Sequence, residues 1–319
     1  PLRLASDRHG ELQALEIELG EGHLLQACRE GGGYVVRTLQ HPTSTDVAVV
    51  DLELGRDADL GAALDAAGEP RELGPLIAEA LAYDVDLMTE ARPGDRIKVV
   101  VEKRFLGERF HRFGPILGIR FAGEAASVTY HRYRPAGGEA ELYSREGEPR
   151  RRALRRSPVA FHTVAADARG LLEPTLEVIT GRSGAMYRRP EGAPVVALGD
   201  ARVRAVDEAG DAGLTLELEL EGGLHLRYAH LSRVVGALAP GDAVRSGQLV
   251  GLAGHTGKTA SDRVRVEMWR EEGGEAAMLD PLFIQASGDG RPPRIGEALA
   301  GAELDRFRED TVSLGRILR

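Results

Sequence analysis

Short alternating runs open the chain. Leu12, Leu15, Ile17 and Leu19 alternate roughly with polar residues, and Val47-Ala48-Val49-Val50 leads to Leu52 and Leu54. Residues 11 to 53 therefore read as short strands, with Gly31-Gly32-Gly33 as a flexible turn. From Asp57 the period changes: Leu60, Leu64 and Ala67 share one helical face, and after Glu69-Pro70 so do Leu73, Leu76, Ile77, Ala80 and Leu81. Pro93-Gly94-Asp95 closes the helical part, and strands are expected at about 97–106, 115–122, 126–133 and 140–144.

From Pro194 to Leu282 strands again alternate with glycine turns. Leu224 to Ser232 is one strand; Pro240-Gly241-Asp242 opens a hairpin that Ser246-Gly247 turns; Arg263 to Met268 is another strand. After Ser287-Gly288-Asp289-Gly290, a hinge at Arg291-Pro292-Pro293 leads to a final helix with Leu304, Phe307, Val312, Leu314, Ile317 and Leu318 as its apolar side. The pattern predicts an α+β multidomain chain: a small β-rich domain over 1–56, an α+β domain with its linker over 57–160, a mainly antiparallel β domain over 161–290, and a hinge and helix over 291–319.

Composition narrows the function classes. The 319 residues carry 41 Lys and Arg against 50 Asp and Glu, a formal charge of −9, which disfavours nonspecific binding to nucleic acid or anionic lipid. The run Arg150-Arg151-Arg152 with Arg155-Arg156 lacks interleaved aromatics and reads as a solvated linker. Cys28 is the only cysteine, so an internal disulfide framework and a Cys-rich zinc site are excluded, and a buried thiol is expected. No run approaches the ~18 apolar residues needed to span a membrane, and no signal peptide is visible. Because Pro1 is not a natural start, an export signal or anchor is expected to lie outside these residues.

Arg227-Tyr228-Ala229-His230-Leu231-Ser232, Gly247-Gln248-Leu249-Val250-Gly251 and Asp280-Pro281-Leu282 resemble the "RYAHLS", "GQLIG" and "DPL" motifs of the LytM or lysostaphin-type zinc endopeptidases, which cut peptide cross-links in bacterial cell walls. Ala82-Tyr83-Asp84-Val85-Asp86 with Arg92-Pro93-Gly94-Asp95-Arg96, and Leu154-Arg155-Arg156-Ser157-Pro158-Val159, resemble segments of the larger multidomain members. The resemblance is weak before residue 57. It implies zinc held by an H-x-x-x-D motif and the second His of H-x-H. Aligned from Glu267 and Gly254-His255-Thr256-Gly257, the H-x-H pair falls on Arg263 and Arg265, and the H-x-x-x-D positions fall on Arg182 and Met186. A guanidinium has no lone pair for a metal, so no metal, cofactor or catalytic residue is expected.

What survives is a groove. Arg263, Arg265 and Glu267, spaced by two, share a strand face, with Val264, Val266 and Met268 toward the core. The resemblance turns that face into the groove beside His230, Tyr228 and Arg182. Either the face is an ordinary salt-bridged one, or its fixed positive charge holds a carboxylate. His225 and His230, five apart, point to opposite faces of a regular strand and make no metal pair. His255 reads as an exposed turn residue, and Asp262 and Glu267 as partners of the neighbouring arginines. The Gly254-His255-Thr256-Gly257-Lys258-Thr259 run misses the first glycine of a P-loop, since Leu252 stands there, and no helix follows.

The resemblance implies an inactive LytM-domain protein of the bacterial periplasm or cell envelope. It would bind a peptidoglycan peptide or a cell-wall hydrolase through the old groove, in the manner of factors that activate N-acetylmuramoyl-L-alanine amidases. An active DD-endopeptidase with a rebuilt site and a structural wall-binding protein are the alternatives.

Overall fold

Four antiparallel strands, β1 (Leu2–Ser6), β2 (Leu12–Gly20), β3 (His23–Glu30) and β4 (Gly33–Gln40), pair in sequence order. The computed structural model describes residues 2–20, 22–159, 175–179, 182–273, 275–281 and 292–319. The chain divides into two units, Pro1–Val50 with Val100–Leu117, and Asp51–Val99 with Gly118–Arg319. Cys28, expected to be buried, is only half-buried on β3, because this sheet turns much of its surface to solvent.

β5 (Thr43–Glu53), α1 (Leu60–Ala66), α2 (Leu73–Leu81), β6 (Arg96–Leu106), β7 (Arg109–Ala122), β8 (Ser127–Tyr133) and β9 (Glu141–Ser144) follow, the strands forming one sheet in the order β5-β6-β7-β8-β9. Asp59 caps α1 by accepting the N–H groups of Gly61 (2.7 Å) and Ala62 (3.3 Å), which the first helical turn leaves without partners. α2 buries Leu73, Ile77, Ala80 and Leu81, but Leu76, expected on that face, is exposed, because 100° per residue sets it at the edge of their arc. Ala67 is likewise exposed, at the C-cap of α1. β7 starts at Arg109, well before the expected residue 115. Its early part packs aromatic edges, Phe105 on Phe110 and Phe110 on Phe113, in place of a clean period of two.

The arginine run after β9 overturns its reading as a solvated linker. Arg155 is buried and forks onto both carboxylate oxygens of Glu79 on α2 (2.9 and 2.6 Å). Arg150 Nη1 donates to the Glu79 carbonyl (2.6 Å), Arg156 pairs with Glu90, and Arg151 pairs with Asp200 (2.7 Å). Arg150 and Arg155 both lie over the Tyr83 ring, at 4.9 and 5.6 Å. Planar guanidinium groups suit this combination of bidentate pairing and ring stacking.

The last sheet holds β10 (Thr175–Ile179), β11 (Arg182–Arg188), β12 (Pro194–Val196), β13 (Ala201–Ala209), β14 (Gly213–Leu220), β15 (Leu224–Val234), β16 (Ala243–Val244), β17 (Leu249–Ala253), β18 (Arg263–Glu272) and β19 (Glu275–Leu279). Its order is β10-β11-β18-β15-β14-β13-β16, with β17 joining β12 to β15 and β19 on β18. The architecture is thus multidomain and mostly antiparallel β, as the pattern predicted. One face closes over a core of Val195, Leu216, Leu218, Leu226, Tyr228, Val250, Val264 and Val266.

The expected hairpin around Ser246-Gly247 does not form. The Arg245 carbonyl accepts from Gln248 N–H (2.9 Å), so the turn exists, but β16 pairs with β13 and β17 with β12 and β15. Only the second central residue, Gly247, has positive φ (80°). That is the type II pattern, which splays flanking strands rather than matching their twist.

α3 (Gly301–Ile317) packs on β8 through Phe307, Thr311 and Leu318, all buried. Val312 (51% exposed) and Ile317 (38%) lie outside that stripe, contrary to the expected apolar side. Four-residue steps from Phe307 reach Thr311 and Gly315, which sets the buried face. The Ser287–Gly290 segment lies outside the described residues.

Candidate functional site

The strands β11, β18 and β15 lie side by side. Met186 faces Arg265, which faces Ala229; Gly184 faces Glu267, which faces Arg227; Arg227 in turn faces Glu217 on β14. Alternation sends Ala185, Tyr187, Val264, Val266, Met268 and Leu226 into the core. The opposite face therefore gathers Met186, Arg265, Glu267 and Arg227.

On that face charge alternates across the strands. Arg265 Nε donates to Glu267 Oε1 (2.9 Å), Arg227 Nη1 donates to Glu267 Oε2 (3.3 Å), and Arg227 Nε donates to Glu217 Oε1 (2.7 Å). Arg265 is 2% exposed and Glu267 6%. Two buried ions hold together only if paired and hydrogen-bonded, and Glu267 satisfies this by bridging two guanidinium groups. Gly184 makes room for the arrangement: a Cβ there would stand 2.9 Å from Cζ of Arg265.

Zinc does not fit the family positions on this face. Met186 and Arg265 sit opposite one another, Arg265 is held by an acid, and Arg263 gives Nε to the Ser261 carbonyl (3.1 Å) and Nη2 to Ser261 Oγ (2.8 Å). None of the three offers the nitrogen or carboxylate lone pair of a zinc ligand. The side chain of Arg182 lies outside the described residues.

Tyr228, expected in the groove, is in the core. It is fully buried, its hydroxyl accepts from Leu198 N–H (2.9 Å), and burial pushes its pKa far up. Period-two counting from Arg227 puts it there. His230 is buried with φ +63°, a left-handed conformation for a side chain with Cβ. Its Nδ1–H donates to the Thr256 carbonyl (3.0 Å), since a carbonyl can only accept. β15 bulges here, so the regular-strand argument separating His225 from His230 does not hold between Tyr228 and Leu231. His225 stacks on Trp269 (5.3 Å, 16°), and its Nδ1 meets Arg204 Nη1 (3.1 Å).

Sequence reasoning missed one grouping. Glu191, His255 and Asp262 come together with potential ligand atoms all within 4.8 Å of one another. His255 Nδ1 lies 3.1 Å from Asp262 Oδ1 and 3.8 Å from Glu191 Oε2, and Asp262 Oδ2 accepts from Glu191 N–H (3.2 Å). The partner of Asp262 is thus His255 and not the neighbouring arginine. One imidazole and two carboxylates are a chemically adequate donor set for a divalent ion, in contrast with the arginine face. His255 and Asp262 each drew notice alone in the sequence; Glu191, on the loop before β12, carried no signal.

Comparison with known proteins agrees with this architecture. Residues 180–278 match Peptidase family M23, and the chain carries a LytM/lysostaphin-type peptidase-like domain of that family with an atypical site. Two Vibrio cholerae proteins are similar. Peptidoglycan DD-endopeptidase ShyB is 28% identical over 198 residues, covering 60% of this chain and 44% of ShyB, and ShyA is 26% identical over 195 residues, covering 60% and 44%. The matched region spans less than half the length of these curated relatives. Among solved structures, Helicobacter pylori Csd3 is 18% identical, covering 99% of this chain and 82% of that one, with a TM-score of 0.40. A zinc containing peptidase from Vibrio cholerae is 22% identical, covering 88% and 84%, with a TM-score of 0.33. Among the described residues no helix is long and apolar enough to cross a membrane.

Proposed function

We propose that this chain is a catalytically inactive M23-type protein of the bacterial cell envelope, regulating cell-wall hydrolysis by binding a peptidoglycan peptide or a wall hydrolase through the former active-site face. The observation that carries this reading is the Arg265–Glu267–Arg227 bridge, a salt-bridged ladder where the family's metal chemistry would sit. The similarity to peptidoglycan endopeptidases supports the wall as the place of action. Binding would use Arg263, Arg265, Glu267 and His230 as the floor and rim of the groove, and Arg182 belongs to the proposed set by its place in the sequence. Purified protein supplied with zinc is expected to leave cross-linked muropeptides uncut while being retained on sacculi or on a soluble amidase. Cleavage abolished by chelator would overturn it.

The Glu191, His255 and Asp262 grouping favours a second reading, a peptidase with a relocated metal site. Zinc titration of the parent and of the Asp262→Asn variant separates the two. The relocated-site reading requires chelator-sensitive cleavage that Asp262→Asn removes.

A further inference from the structure

A cavity of about 520 Å³ lies among β7, β8, the turn after β9 and α3. His131 on β8 lines it, is 4% exposed, and among the described residues nothing hydrogen-bonds either of its ring nitrogens. A buried polar group left without a hydrogen bond is costly, so a partner from outside the protein is its natural explanation. The ring packs edge-on to Phe307 (6.2 Å, 73°). On the other side lies Gly315, where an added Cβ would come into van der Waals contact with Nε2 (3.6 Å) and take up space beside the ring.

The charge of the wall points to the ligand. Arg120, Arg145, Arg308 and Arg319 line the cavity against one acidic side chain, Glu146. Arg120 Nη1 is committed to the carbonyls of Leu318 (3.2 Å) and Arg319 (2.7 Å), whereas among the described residues Arg145 and Arg308 form no ion pair. Burial, with Arg145 adding to it, lowers the pKa of His131, so at neutral pH the ring is neutral and presents one N–H. Phe307, Val312 and Leu318 supply hydrocarbon to the same space.

We infer that this cavity binds a small organic carboxylate, its charge held by Arg145 and Arg308, one oxygen accepting from His131, and its hydrocarbon part on the exposed Val312. The site is independent of the strand face described above. Hexanoate is a suitable probe and hexanamide its uncharged control, followed through the ¹³C-labelled histidine ring signals of the whole chain. Hexanoate is expected to shift the His131 signal saturably, with a Kd on the order of 1 mM for so small a ligand. Hexanamide should bind roughly tenfold more weakly or less, and the exposed substitutions Arg145→Ala and Arg308→Ala should each weaken hexanoate about fivefold or more. A Gly315→Ala chain with an unchanged thermal melt should also bind less tightly. Equal shifts by acid and amide, no saturable shift, or unaltered affinity in the Arg145→Ala/Arg308→Ala double variant would each overturn the assignment. Inorganic phosphate matching hexanoate in affinity would also overturn it, because the hydrocarbon contacts would then count for nothing.

Discussion

A single carboxylate governs the arginine face. Glu267 is 6% exposed and bridges Arg265 to Arg227, so removing its charge takes an acidic partner from both guanidinium groups, Arg265 buried and Arg227 still paired with Glu217. Breaking a buried pair from one side typically costs about 3–5 kcal/mol, whereas exchanging both partners for apolar residues of similar size is often near neutral. Glu267→Gln is therefore expected to lower unfolding stability by about 3 kcal/mol, the partial exposure of Arg227 reducing the loss. Arg265→Met should cost less, since Glu267 keeps Arg227, and the double variant should be more stable than the sum of the single losses predicts. Urea denaturation of the four chains measures the coupling. Strict additivity would mean that the ladder contributes no interaction energy and that its geometry is incidental.

At the scale of elements, the arginines after β9 bind α2 to the sheet that follows them. Arg155 is the member with both a fork onto Glu79 and a ring beneath it, and it also lies against Gly247, where an added Cβ would stand 2.7 Å from Nη1. Glu79 is half exposed, so the expected loss for Arg155→Ala is about 1–3 kcal/mol, with Arg155→Lys recovering little because an ammonium cannot fork. Proteolysis of native protein reads this locally: the segment around residue 155 should be cut faster in Arg155→Ala than in Arg151→Ala, whose pairing with Asp200 is more exposed. Equal cutting would remove the seam as a structural device. This seam also shows where the sequence was opaque. Element types were legible, because periods of two and 3.6 switch clearly along the chain, and the RYAHLS run placed β15. Long-range pairing was not: five arginines in seven residues look the same whether solvated or forked, and the turn at Gly247 does not say which strands it feeds. That Met186, Arg263 and Arg265 offer no lone pair to zinc was legible from residue chemistry alone, while the meeting of Glu191 with His255 and Asp262 depends on loops that only the fold brings together.

At the scale of the whole unit, two buried tyrosines are expected to weaken the fold in alkali. Tyr130 is 1% exposed, donates to buried Asp84 (2.8 Å), and is pushed up to about 12 from 10.0 by burial first and by the Asp84 charge next. Tyr228, sealed in the core, is raised by burial as well. Both groups hold their protons more tightly folded than unfolded, so between the unfolded pKa near 10 and the folded value the folded state binds more protons, and stability falls as pH rises. The Tyr130 term is present in full below pH 10 and is lost progressively toward about pH 12, an effect on the order of 2–3 kcal/mol from a shift of two units. On the acid side the sign reverses for His131, whose lowered pKa contributes stability that is lost as pH falls below the ordinary histidine value of 6.5. Urea midpoints at pH 8, 10 and 11.5 test the alkaline arm. Tyr130→Phe should be less stable than the parent at pH 8, where the hydroxyl's bond to Asp84 is missing, and should lose less between pH 10 and 11.5 because it has no phenol to ionise. Parallel losses in parent and variant would assign the alkaline transition to other groups and leave Tyr130 without a part in it.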